Sequence, residues 1–304
     1  MTALSHTRAS PLAANLMCMA SMIMWAAGLP AADTIIDKVP PLAFAAARMS
    51  LAALALLPFW LLMEGTQALR AANWPLGFLI GGATIGMGAF LLVVSQSMTG
   101  PVTVAVISAT MPVVGIAIEV LLDGRRLKAG LIIGVLLSLC GGLLALDLNG
   151  GGLGFGWGAL LCLTSVVLFT FGSRLTVTSF PKLTALGQTT ITLSGAAVAT
   201  CIAAAMHAGM GGPSANWSTF TLYDWGALLL FSVVGLAISQ ILWIIGVGRI
   251  GIALAALHIN AAPFYVMLIL FLMGQSWNWT QAAGAAIVGI GVLVAQNIIT
   301  LRRN

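Results

Sequence analysis

The chain has 304 residues, of which 60% are apolar and only 6% are charged, and its mean hydropathy is +1.08. A water-soluble domain carries roughly 25% charged residues, so this composition excludes an ordinary soluble fold. The formal net charge of +5 raises the question of a nucleic-acid partner, but its distribution along the chain gives another explanation below.

Ten apolar stretches follow one another along the sequence, and each is long enough to cross a bilayer, which takes ~20 residues. They are twice as long as the strands of a membrane barrel, so we predict an all-α membrane protein that contacts the lipid bilayer. The predicted spans, numbered one to ten in chain order, are 12–31, 41–62, 76–97, 102–122, 128–146, 154–173, 183–206, 224–246, 252–273 and 280–300.

The two halves of the chain repeat one pattern about 150 positions apart. Trp74 pairs with Trp225, Gly100 with Gly251 and Pro112 with Pro263. We therefore predict two five-helix repeats, 1–148 and 153–304, joined by the glycine-rich segment 148–152. Because five is odd, the second repeat enters the membrane from the opposite face, and inverted repeats of this kind hold transport sites at their interface.

Basic residues are concentrated on one side of this topology. With the N-terminus inside, ten Lys and Arg residues fall on the inner side and only Lys38 falls on the outer side. This is the positive-inside distribution, so both termini are predicted to be cytoplasmic and no nucleic-acid partner is expected.

Polar and aromatic side chains in the middle of spans are costly in lipid and mark candidate functional positions. Trp25 and Phe169 hold comparable places in spans one and six, each three residues before a glycine. The other candidates lie in the spans where the repeat is clearest. They are Gln96 in span three, Ser108 and Met111 in span four, Gln240 and Trp243 in span eight, and His258, Asn260 and Tyr265 in span nine.

Pro112 and Pro263 occupy matched places in spans four and nine. A proline removes a helical hydrogen bond one turn back, so we predict kinks here, either purely architectural or exposing carbonyls to a cavity. His258 could be a structural hydrogen-bonding residue, a substrate contact or a proton relay. Arg48 could bind a carboxylate, but its place about one turn into span two favours snorkelling to the membrane surface or pairing with an inner helix.

Several functional classes have no support in the sequence. There is no Walker motif, no catalytic HExxH or GxSxG motif, and no metal-ligand spacing among the four cysteines. We therefore expect no enzyme activity, no metal, no cofactor and no ATPase subunit. No buried carboxylate pair identifies a coupling ion, so facilitated export and antiport both stay open. The sequence fixes no oligomeric state, and a monomer is the simplest expectation.

The two five-helix halves, the Trp25-Ala-Ala-Gly28 segment, the mid-span prolines and the glycine-spaced spans five and ten resemble the EamA-type drug/metabolite transporter superfamily. Asp123-Gly-Arg-Arg adds a likeness to its YddG-type aromatic amino-acid exporters. The resemblance implies a bacterial inner-membrane protein with a central cavity lined by spans one, three, four, six, eight and nine. Many members have Gly-Glu at the turns into spans five and ten, whereas this chain has Gly124-Arg125 and Gly274-Gln275.

These observations lead to one functional hypothesis, an exporter of neutral amino acids that include aromatic ones. Amide and hydroxyl groups suit the ends of a zwitterion, and methionine adapts to varied side chains. Export of another metabolite or drug, such as a purine or a lipophilic cation, is the alternative, and a membrane scaffold or receptor without transport activity is a second one.

Overall fold

A computed structural model of the chain describes residues 11–124 and 152–295, with positions 130, 132–134, 136, 137 and 140 between them. The described residues form helices joined by short connections. Seven of the predicted spans are the helices Pro11–Asp33 (span one), Pro41–Ala71 (two), Trp74–Thr99 (three), Gly152–Ser179 (six), Ala185–Gly209 (seven), Leu222–Ile250 (eight) and Trp279–Ala295 (ten).

Spans four and nine are each divided into two helices. Span four consists of Pro101–Ser108 and Met111–Asp123. Span nine begins with Ile252–Ala255, continues through a 3-10 segment, Ala256–Ala261, and ends with Ala262–Leu272. The interruption lies near the middle of both spans. Pro112 and Pro263 occupy the first turn of the helices that follow it, where the missing amide N–H costs little.

Eight helices of the described chain are long and apolar enough to cross a membrane, which confirms spans one to four and six to nine as membrane-spanning candidates. Span ten is a 17-residue helix up to Ala295. Most of predicted span five and most of the 148–152 linker lie outside the described residues, as do both chain ends. The total of ten spans and the inverted orientation of the halves therefore stay predictions.

The local backbone repeats between the halves. Spans three and eight each contain a π-helical segment, Gly81–Gly86 and Leu230–Ile238. Both spans end at a glycine with nearly the same conformation, φ 80° and ψ 168° at Gly100 and φ 80° and ψ 162° at Gly251. Only glycine adopts these angles without strain, so the matched glycines mark one turn used twice.

The packing of the spans is also duplicated. Span one crosses span eight and span six crosses span three, while spans two and seven pack along each other and spans four and nine form a further pair. At the first crossing, a Cβ built on Gly28 would lie 3.4 Å from Cα of Gly235. At the second, a Cβ on Gly172 would overlap the hydroxyl of Thr84. Small residues at both points allow the close helix approach that stabilises bundles in lipid.

Candidate functional site

A cavity lies at the middle of the bundle, about halfway along the spans that surround it. Spans one, three, four, six, eight and nine all contribute, as the resemblance implied, and span two contributes as well. The space open to the centre of a water molecule is about 50 Å³, which is room for about four waters at ~10–15 Å³ each. The described state therefore encloses less space than an amino acid with a large side chain requires.

The wall of the cavity is built from pseudo-equivalent positions of the two halves. A residue of span one corresponds to the residue 144 positions later in span six. A residue of span three or four corresponds to the residue 151 positions later in span eight or nine. Eight matched pairs line the cavity: Ser21 and Ser165, Met22 and Val166, Trp25 and Phe169, Ile85 and Leu236, Gly88 and Ser239, Ala89 and Gln240, Leu92 and Trp243, and Ser108 and Ile259. The three remaining lining residues, Arg48, Met49 and Met111, all belong to the first half.

One interhelical hydrogen bond occurs in both halves at the cavity wall. The Ser21 hydroxyl donates to the Ser239 carbonyl of span eight at 2.7 Å. At the pseudo-equivalent positions, the Ser165 hydroxyl donates to the Gly88 carbonyl of span three, also at 2.7 Å. Ser21 and Ser165 each lie four residues before the matched aromatic residues Trp25 and Phe169. This repeated spacing is visible in the sequence, although the predicted site does not include the serines. The bonds fix each crossing at cavity depth.

The aromatic part of the wall combines Phe169 and Trp243, whose ring centroids are 6.2 Å apart at an interplanar angle of 36°. The indole Nε1 of Trp243 donates to the hydroxyl of Ser173 at 3.0 Å, which satisfies its polar atom in a side chain that is only 1% exposed. Trp25 is half-buried and lines the cavity from span one. These rings offer a flat, preorganised surface for an apolar or aromatic group.

The interrupted spans four and nine place matched residues of the two halves at the cavity wall. Ser108 lies four residues before Pro112, and Ile259 lies four residues before Pro263; both line the wall. Because proline has no N–H, the carbonyls of Ser108 and Ile259 cannot receive the usual α-helical hydrogen bond from these positions. In span nine, the Ile259 carbonyl accepts instead from the Ala262 N–H.

Six of the ten predicted substrate contacts line this cavity: Trp25, Ser108, Met111, Phe169, Gln240 and Trp243. The other four do not. Gln96 lies one turn beyond Leu92, where its amide donates to the Leu29 carbonyl at 2.8 Å. The ring Nδ1 of His258 is 3.1 Å from the Ala255 carbonyl, Oδ1 of Asn260 is buried without a hydrogen-bond partner, and Tyr265 packs half-buried against the core.

Arg48 is a lining residue that the sequence interpretation assigned to the membrane surface or to pairing with an inner helix. It is 3% exposed, and its Cζ lies 3.7 Å from the centroid of the Phe231 ring. Span two begins at Pro41, and two helical turns from that start, at ~1.5 Å per residue, carry Arg48 to the depth of the cavity. Snorkelling is therefore wrong for this side chain, and it adds a positive charge to the wall.

Comparisons with known proteins agree with this architecture. Residues 12–146 match the profile of the EamA-like transporter family. A Bacillus subtilis (strain 168) protein described as an uncharacterized transporter, YyaM, is 25% identical over 274 residues, 86% of each chain. A crystal structure of another protein shares the fold with a TM-score of 0.71 and 20% identity, covering 96% of this chain and all of that one. The first half of this multi-pass membrane chain is thus similar in sequence to EamA-like transporters.

Proposed function

We propose that the protein is a membrane transporter that exports neutral amino acids, aromatic and other large apolar ones included, by alternating access. The observation that carries this proposal is the mid-bundle cavity with paired walls. A cavity enclosed by two matched halves can open to either side when the halves exchange conformations, which is the behaviour of repeat-built transporters. The similarity to EamA-like transporters supports the same class of function.

The chemistry of the wall supports a small zwitterionic substrate. The Ser108 hydroxyl and the Gln240 amide supply polar groups, and the paired rings of Phe169 and Trp243 supply an apolar surface. A tolerant wall of this kind, with Met22, Met49 and Met111 on the first-half side, suits side chains of several shapes. Amino acids therefore fit better than rigid polar metabolites.

The small volume of the cavity supports alternating access over a permanent channel. With room for about four waters, the cavity admits a larger substrate only when the spans around it separate. The glycine crossings of spans one with eight and six with three are the contacts about which we propose the halves move. Gln96, His258, Asn260 and Tyr265 stay candidate substrate contacts, which we assign to the route leading to or from the cavity.

The proposed orientation of the chain in the membrane follows from the charge distribution of the sequence. We propose a bacterial inner-membrane location, inverted repeats 1–148 and 153–304, and cytoplasmic termini, since ten basic residues fall on the predicted inner side. Labelling of cysteines introduced at either end in intact cells tests the orientation, and modification by an impermeant reagent would contradict it.

The main rival is export of another small molecule such as a purine or a lipophilic cation. A cation carrier is disfavoured because none of the cavity-lining residues in the described chain is acidic and one of them is Arg48. A purine is not disfavoured by charge, since the aromatic pair would also stack a flat base.

Counterflow in proteoliposomes separates these functions. We expect vesicles loaded with unlabelled phenylalanine to accumulate labelled phenylalanine and leucine, and labelled adenine to stay outside. Accumulation of adenine without exchange of any amino acid would assign the cavity to the purine. Exchange of no solute would instead favour a non-transporting scaffold.

A further inference from the structure

Arg48 is the one charged side chain in the cavity wall of the described chain. Its Nε has no hydrogen-bond partner among the described residues, and the ion pair between Lys38 and Asp224 does not involve it. The neighbour of the guanidinium is the face of Phe231, itself 1% exposed. A cation at this depth therefore faces an aromatic ring and a cavity, and no carboxylate of the described residues lies within ion-pair distance of it.

The positive charge of Arg48 is therefore not compensated by a carboxylate of the described residues. A charged group away from bulk water is costly unless an opposite charge and hydrogen bonds compensate it. The ring face attracts the cation and holds the guanidinium in place, but it accepts none of the directed N–H bonds that arginine offers. The group that completes the site must be a hydrogen-bond acceptor with negative charge, and it must reach the guanidinium from the cavity.

The other half of the protein has no counterpart to this charge. Spans two and seven begin at Pro41 and Ala185, 144 residues apart, so Thr192 occupies the position that matches Arg48. The Thr192 hydroxyl bonds within its own helix to the Gln188 carbonyl at 2.9 Å. Its backbone carbonyl packs so tightly on Gly81 that a Cβ there would overlap it. The matched position is thus closed, and the cavity carries its charge on one side only.

We propose that Arg48 binds the carboxylate of the transported substrate. A single guanidinium balances one negative charge and presents two parallel N–H donors that match the two carboxylate oxygens. A phosphate monoester carries nearly two negative charges at neutral pH, so one arginine would leave it undercompensated. The assignment deepens the proposed function and rests on it for the transport step, because it names the group that every substrate must carry.

Ligand-dependent thermal stabilisation of the purified full-length protein tests this assignment. Four compounds with the same phenyl ring separate the two charged groups. Phenylalanine carries a carboxylate and an ammonium, phenylpyruvate carries only the carboxylate, and phenylalaninamide and phenethylamine carry only the ammonium. We expect the two carboxylates to raise the melting temperature and the amide and the amine to leave it unchanged. In Arg48→Gln, the affinity for phenylalanine should fall by at least about thirtyfold, as expected when one partner of a buried charge pair is removed.

Arg249→Gln is the matched control, because it removes an exposed arginine from a span without touching the cavity. It should bind all four compounds as the wild type does. Arg48→Lys keeps the charge and loses the two-pronged geometry, so its affinity should lie between those of the wild type and Arg48→Gln. If Arg48→Gln does not fold, the comparison of the four ligands on the wild type decides the matter.

The outcomes separate this assignment from the proposed amino-acid export. Stabilisation by phenylpyruvate together with no amino-acid counterflow would support the carboxylate site and contradict the export of amino acids. Amino-acid counterflow with equal stabilisation by phenylalanine and phenylalaninamide would support export and overturn the role of Arg48. No stabilisation by either carboxylate, or unchanged phenylalanine affinity in Arg48→Gln, would also overturn it.

Discussion

Truncation of Trp243 separates the contribution of the aromatic wall to selectivity from its contribution to stability. The side chain is 1% exposed, its ring lies 6.2 Å from that of Phe169, and its Nε1 donates to Ser173. Trp243→Phe keeps a ring and loses one hydrogen bond, which costs about 1 kcal/mol of stability. Trp243→Ala also removes the packed indole, which costs roughly 3–5 kcal/mol.

The effect on selectivity follows from the ring pair. An aromatic pair contributes about 0.5–1.5 kcal/mol beyond buried area, equivalent to a two- to thirteenfold change in affinity. In Trp243→Ala the preference for phenylalanine over leucine should therefore fall by that factor, whereas Trp243→Phe should retain most of it. Competition counterflow in proteoliposomes measures the ratio of the two affinities.

The control for this series is Trp157→Ala, which removes an indole that is 62% exposed and lies away from the cavity. It should leave both the ratio and the rate of exchange unchanged. An unaltered ratio of phenylalanine to leucine in a folded Trp243→Ala protein would refute the assignment of an aromatic recognition surface to this wall.

Two further predictions concern the helix crossings and turns, and both are read as melting temperatures in detergent. Gly172→Ala should destabilise the protein by about 1–3 kcal/mol through overlap with Thr84. Adding Thr84→Gly to this variant should restore most of the lost stability. A double variant that is no more stable than Gly172→Ala alone would contradict the proposed crossing. Gly100→Ala and Gly251→Ala should each cost about 1–3 kcal/mol and nearly the same amount, because their φ and ψ angles agree, and a neutral effect at either position would refute the matched turn.

Much of the fold could be predicted, because the apolar runs indicate the membrane spans and the repeated glycines indicate two matched halves. The ends of the spans fall within a few residues of the predicted ends wherever the chain is described, except in span two and at the C-terminal end of span six. Span two continues to Ala71 as a second helical segment that follows Gly65, whose φ of 76° divides the helix. Hydropathy does not register a change of backbone direction of this kind.

The site was harder to predict because helical spacing fails where the helix changes type. His258 and Asn260 lie in the 3-10 segment Ala256–Ala261, where each residue turns ~120° and not ~100°. The residue of this segment that lines the cavity is Ile259, between the two polar candidates. Gln96 lies on the cavity side of span three, but one turn too far along it.

Arg48 shows that the distance of a residue from the start of an apolar run does not give its depth in the bundle. Span two begins at Pro41, and Arg48, only about two helical turns later, is 3% exposed and lines the cavity. The serines were missed for a different reason. Ser21 and Ser165 can be recognised as a matched pair only when spans one and six are aligned with an offset of 144 residues. The offset is 151 residues in the spans where the repeat is clearest.

The central claim is that two matched halves enclose one cavity that opens to each side of the membrane in turn. Cysteine labelling in a background without the four native cysteines tests it most directly, with Ala89→Cys and Gln240→Cys at a matched pair of lining positions. Leu193→Cys, buried outside the cavity, is the control. We predict modification of both lining positions by an impermeant reagent added from either side, protection by phenylalanine, and no reaction at the control. Reaction from one side alone, or without protection by substrate, would contradict the account.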